Sequence, residues 1–355
     1  MKKLPTLNPL GYSMYLSTYQ QQIEKLSPSS EGESLIFISL HMPEEMDGDY
    51  AKKCRTMLGR LRGLGYRIIA DVSRRSLEVF EVKSLEELRE KLDLDILRID
   101  YGFSEEEIRH YAKRHPVGIN ASLVTKDSVG TLFEDALEVY AMHNFYPRPE
   151  TGLDVEQFES LNALLKEKGL KVLSFIPGDI LLRGPIHEGL PTLEIHRGMA
   201  PYATFMDMYL RFGMDYVFVG DGIIQKDEEE WIRAYLREKV LTLPVVFNEK
   251  AEILSGKDYT IRKDSPKNLM RLQESREYAT FEEKIEPDPT VRRERGSVTL
   301  DNLRYKRYSG EIQITKEEFP EDDRVNVIGH VPKKYQLLLD LIPNGGKIRF
   351  QGITE

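Results

Sequence analysis

Eight times between residues 11 and 222, a short and nearly unbroken apolar run gives way to an amphipathic stretch. The runs are GYSMYL (11–16), SLIFISL (34–40), YRIIADV (66–72), DILRIDYG (95–102), VGINAS (117–122), LEVYAMHNFYP (137–147), KVLSFIPG (171–178) and DYVFVGDG (215–222). Runs this rich in Ile, Leu, Val, Phe and Tyr read as parallel strands buried on both faces. Between them the period changes. Tyr50, Cys54, Met57, Leu58, Leu61 and Leu64 recur at three- and four-residue steps and line one helix face. Ser104 and Glu107 have capping-box spacing, Asp154 and Gln157 make a similar start, and Gly65, Gly169 and Gly213 stand where a helix ends and a strand begins. Such repetition predicts a (β/α)8 TIM barrel, with a doubly wound open sheet as the alternative.

The rhythm breaks near residue 241. LPVVF, DYTIR, SVTLDN, EIQITK, RVNVIGHV and KIRFQ follow without regular helices between them. This predicts a barrel domain over 1–240 and a compact, barrel-like β domain over 241–355, which suits a chain of 355 residues. A formal charge of -9 disfavours non-specific binding of nucleic acid. The single cysteine, Cys54, rules out an intramolecular disulfide and zinc-type cysteine spacing, and its place on the apolar helix face assigns it to the core. No apolar stretch is long enough to span a bilayer. The N-terminal apolar residues are interrupted by Pro5, Asn8, Pro9 and Gly11, unlike a signal peptide, so the expected location is the cytoplasm.

In a (β/α)8 barrel the chemistry lies at the C-terminal ends of the strands. The polar residues found there are His41, Asp71, Arg98, Asp100, Asn120, His143, Asn144, Asp179 and Asp221. The sixth run leads into HNFYPRPETGL, a loop that Pro147 and Pro149 stiffen and that carries Arg148 and Glu150. The seventh leads into PGDILLRGPIHEGLPTLEIHRG, which carries Asp179, Arg183, His187, Glu188, Glu194, His196 and Arg197. A guanidinium grips a phosphate or carboxylate with two hydrogen bonds. Asp71, Asp100, Glu150, Asp179, Glu194 and Asp221 can supply the two carboxylates that glycoside hydrolysis needs. No HExxH helix, GxSxG elbow or glycine-rich nucleotide loop is present, so neither a metal nor a nucleotide cofactor is expected. One tryptophan suits a small sugar better than a long polysaccharide.

HNFYPRPETGL, RIDYG, INAS, RGPIHEGLPTLEIHR and VGDG together resemble the 6-phospho-N-acetylmuramidase family over nearly the whole chain. The resemblance implies a (β/α)8 barrel followed by a cyclophilin-like β domain. It also implies cytoplasmic hydrolysis of the β-1,4 bond joining N-acetylmuramic acid 6-phosphate to N-acetylglucosamine, in peptidoglycan recycling. Within that expectation we assign Asp100 and Glu150 as the catalytic pair, with Asp221 as substitute. Arg148, Arg183 and Arg197 would divide the phosphate and lactyl carboxylate between them. Asn120, His143, Asn144 and Glu194 would contact sugar, with Asp71 and Arg98 also on the substrate. The expected partner is the phosphorylated disaccharide alone, without nucleic acid or membrane. Self-association, pocket closure and plain stabilisation are the roles that fit the β domain. The competing functions are a metal-dependent sugar-phosphate hydrolase or lyase, and a non-catalytic sugar-phosphate sensor.

Overall fold

The computed structural model describes residues 8–29, 34–40, 48–124, 133, 135–277 and 285–354; His41 lies outside them. The chain divides into two compact units, one of residues 1–201 and 208–225, the other of residues 202–207 and 226–355.

The first unit is a closed parallel barrel. Its strands are β1 (Leu10–Met14), β2 (Leu35–Ser39), β3 (Arg67–Val72), β4 (Ile96–Ile99), β5 (Val117–Asn120), β6 (Val139–Met142), β7 (Lys171–Ile176) and β8 (Tyr216–Val219). Each apolar run of the sequence overlaps one of them, and all but the first contain it whole, β1 starting one residue early at Leu10. Every strand pairs in parallel with the next, and β1 closes the ring on β8 through Leu10–Val217, Gly11–Phe218 and Tyr12–Val219. The helix Glu105–Ala112 starts at the expected capping box: Ser104 accepts from the amide of Glu107, and Glu107 accepts from the amide of Ser104 at 2.8 Å. Asp154 caps the helix Val155–Glu167 by accepting from the amide of Gln157 at 2.8 Å. Cys54 is buried.

Side chains alternate between the two faces of a strand. Leu35, Phe37, Ile69, Ile96, Tyr140, Met142, Leu173, Phe175, Tyr216 and Phe218 form one buried cluster, and within each strand they stand at every second position. The rings of Phe37, Phe218 and Phe145 pack around Phe175 at centroid distances of 5.4, 5.7 and 5.1 Å. Burying each ring fully stabilises the barrel by about 1.5–3 kcal/mol. The same alternation, carried two residues further, changes the chemistry: Ile69 leads to Asp71, Ile96 to Arg98 and then Asp100, and Met142 to Asn144. An apolar barrel interior thus ends in an inward polar layer at its C-terminal end.

The second unit holds a curled sheet of seven strands: β9 (Leu241–Phe247), β10 (Asp258–Thr260), β11 (Leu269–Arg271), β12 (Ser297–Asp301), β13 (Ile312–Thr315), β14 (Val325–His330) and β15 (Lys347–Gly352). Their order is β10-β15-β9-β14-β12-β13-β11. Beyond the two edge strands, Ile261 bridges Leu272, and the amide of Arg262 donates to Arg271 at 2.8 Å, which draws the edges together. Six of these strands coincide with the short apolar pieces of the sequence. The seventh, β11, is three residues long with only Met270 buried, too little to stand out as a run. Among the described residues no helix is long and apolar enough to cross a membrane.

Candidate active site

Asp71 and Arg98 are direct partners in the β3–β4 register. Both are nearly out of water, with 7% and 5% exposure, so each charge offsets the cost of burying the other. Arg98 donates through Nη1 to Asp71 at 2.7 Å and through Nη2 to the side-chain oxygen of Asn144 at 2.8 Å. To reach from β4 to Asn144, two residues past the end of β6, the guanidinium crosses β5. Gly118 is its register partner there, and a Cβ at that position would stand 3.0 Å from Arg98. Asp100 extends the β3–β4 ladder past the end of β4, its amide donating to Val72 at 3.0 Å, and lies half-buried on the same face as Arg98.

The loops after β6 and β7 are knitted together above this layer. Thr192, fully buried, accepts from the amide of Phe175 at 2.9 Å and donates to the carbonyl of Asn144 at 2.9 Å. Tyr146 donates its amide to Pro191, and Leu153 bridges Leu193. Glu194 then binds the first loop by its backbone, accepting from the amides of Glu150 at 2.9 Å and Gly152 at 2.8 Å. Arg197 donates Nε and Nη2 to the same carboxylate at 2.6 and 2.9 Å. Its remaining capacity goes to the carbonyls of Glu188, Gly189, Tyr146 and Arg148. These bonds hold the Glu194 carboxyl down at about 2. Glu194 and Arg197 therefore brace the loops, and the guanidinium is saturated by protein rather than offered to an anion. Arg148 and Glu150 are exposed on the braced loop, and neither side chain has a hydrogen-bond partner among the described residues.

On the other side of the β7 loop, Asp221 is fully buried and accepts from three amides: Gly178 at 2.8 Å, Arg183 at 2.9 Å and Leu190 at 3.1 Å. Burial raises its carboxyl, against the pull of those amides and of Arg183. Asp221, the substitute acid of the sequence reading, thus anchors the loop through its carboxylate. The Arg183 guanidinium lies 4.0 Å over the ring of Tyr15, whose hydroxyl donates to Gly220 at 2.7 Å. Asp179 accepts from the amide of Gln225.

Two further candidates are engaged by the protein itself. Asn120 turns its side-chain oxygen to the amide and hydroxyl of Ser122, capping the short turn after β5. His143 follows the inward Met142 and so faces outward, to the helix Val155–Glu167. There it is 1% exposed, bonded to Asn162 at 2.7 Å and packed 4.6 Å from the Phe158 ring. Burial pulls its imidazole down to about 4. The folded state thus binds fewer protons than the unfolded one between about pH 4 and 6.5, and stability should fall as pH drops through that window, by up to about 1.4 kcal/mol per pH unit. His143→Gln should flatten the loss of unfolding free energy between pH 7 and 5; parallel curves for the two proteins would remove this account.

Comparison with known proteins bears on what such a mouth does. A family profile described as 6-phospho-N-acetylmuramidase, N-terminal, matches residues 10–234, and one described as 6-phospho-N-acetylmuramidase, C-terminal, matches residues 240–351. The chain belongs to the 6-phospho-N-acetylmuramidase family. Among solved structures it is similar to a conserved protein of unknown function from Enterococcus faecalis, with 32% identity over 97% of this chain and 96% of that one and a TM-score of 0.83. An uncharacterised B. cereus protein shares the fold at 22% identity over 97% and 99% of the two chains, with a TM-score of 0.73. No curated protein matches the chain. In this 6-phospho-N-acetylmuramidase family member, the sequence reading missed Tyr15 and Thr192. Tyr15 was accessible to it, since it continues the alternation of β1; Thr192 acts through backbone groups of other segments, which leave no side-chain signature.

Proposed function

We propose that the protein hydrolyses the β-1,4 bond between N-acetylmuramic acid 6-phosphate and N-acetylglucosamine, in the cytoplasm, as a step of peptidoglycan recycling. The observation that carries this reading is the inward polar layer of Asp71, Arg98 and Asn144, with Asp100 beyond it, at the end of a barrel whose family is named for this activity. Asp100 and Glu150 are the catalytic pair. One protonates the glycosidic oxygen, and the other attacks the anomeric carbon or activates water against it. Arg148 and Arg183 take the two anions of the substrate, the phosphate and the lactyl carboxylate, since Arg197 is occupied elsewhere. Asp71, Arg98 and Asn144 form the polar floor beneath the sugar. The curled sheet of the second unit is the cyclophilin-like domain of the family, and the functional boundary falls near residue 240.

The test is hydrolysis of the disaccharide with and without its 6-phosphate, in the presence of a chelator, read by mass spectrometry. Release of N-acetylglucosamine from the phosphorylated form alone is expected. Equal cleavage of both forms would remove the phosphate recognition, loss of activity to the chelator would transfer the reaction to a metal, and cleavage of neither would leave a sugar-phosphate sensor.

A further inference from the structure

Glu150 is one of six non-glycine residues with positive φ among those described, at +68°. A side chain there is strained, and the conformation persists only where its surroundings over-determine it. The surroundings in question are specific. The Glu194 carboxylate takes the amide of Glu150 itself and that of Gly152, two residues on. Gly152 is pressed so closely that a Cβ would stand 2.7 Å from the Glu194 amide nitrogen and Oε2. Arg197 fixes that carboxylate by two bonds and holds the carbonyls of Tyr146 and Arg148 on the near side of Glu150. The backbone of Glu150 is therefore gripped on both sides, while its own carboxylate has no hydrogen-bond partner among the described residues.

We infer that Glu194 and Arg197 are positioning residues for the reaction: together they hold the peptide of Glu150 in its left-handed conformation and so aim its carboxylate into the mouth. Their own hydrogen bonds go to each other and to the loop backbone. This rests on Glu150 being one of the two reacting carboxylates, as proposed above. A site of this kind needs its reacting groups held closely, and a misplacement of about 1 Å can lower turnover by about 100-fold.

The experiment is a double-mutant cycle on disaccharide hydrolysis with Glu150→Gln, Glu194→Gln and the pair. Glu194→Gln keeps the volume but replaces one acceptor oxygen by an amino group, which cannot serve two donors. It should lower kcat by about 100-fold and leave KM within a few-fold. In the Glu150→Gln background the same change should lower kcat no further, because the group it positions is already gone. Multiplicative losses, or a change confined to KM, would overturn the inference. Near-normal turnover of Glu150→Gln alone would instead overturn the catalytic reading of Glu150. Should Glu194→Gln not fold, Arg197→Lys, which keeps the charge and loses the fork, replaces it in the same cycle and is read by the same outcomes.

Discussion

Replacing Arg98 by alanine is expected to destabilise the barrel by about 3–5 kcal/mol, among the largest single losses available in this unit. The cause is the carboxylate left behind. Asp71 sits in the same buried layer with Arg98 at 2.7 Å, and removing the cation leaves a largely buried anion without its guanidinium. Asn144 also loses the donor to its side-chain oxygen. The pair itself contributes little net stability, because both charges were desolvated to make it. Asp71→Asn with Arg98→Met should therefore recover most of the loss while removing both charges from the floor of the site. Urea unfolding of the two variants measures the difference. An Arg98→Ala protein within about 1 kcal/mol of the parent would mean that the layer is wet.

The second large effect concerns the reaction. Asp100→Asn and Glu150→Gln should each lower kcat by roughly 10²–10⁴-fold, the range over which a positioned acid or base acts, with unfolding midpoints unchanged. The stability expectation follows from their surroundings: Asp100 is half-buried at the rim, Glu150 is exposed, and neither change removes a backbone bond. The two amides should differ in one respect. With an activated leaving group, general acid assistance is no longer needed, so the variant of the acid regains rate and the variant of its partner does not. Turnover within a few-fold of the parent for both variants would remove this pair from the mechanism.

The barrel was legible because strands buried on both faces need continuous apolar runs, and those runs are visible without any partner. The polar layer was legible by the same rule. Counting by two from Ile69, Ile96 and Met142 reaches Asp71, Arg98 and Asn144, and the same count excludes His143, which the sequence reading nevertheless placed in the mouth. Alternation had already assigned it to the helix side, but a histidine beside an asparagine at a strand end looks like chemistry. The loops were less legible. Glu194 and Arg197 have the spacing of an ion pair, and so much could be read. That they are committed to backbone amides and carbonyls of a loop more than forty residues away depends on how two irregular segments lie against each other. Asp221 is hidden for the same reason: its three partners are amides, which every residue but proline carries.

The left-handed backbone at Glu150 puts two selective pressures in opposition. Glycine adopts that conformation without steric penalty, so judged by folding alone it is the better residue at this position. An evolution or screening regime that rewards only heat resistance would drift toward discarding the carboxylate, and the resulting lineage would keep the barrel while losing its chemistry.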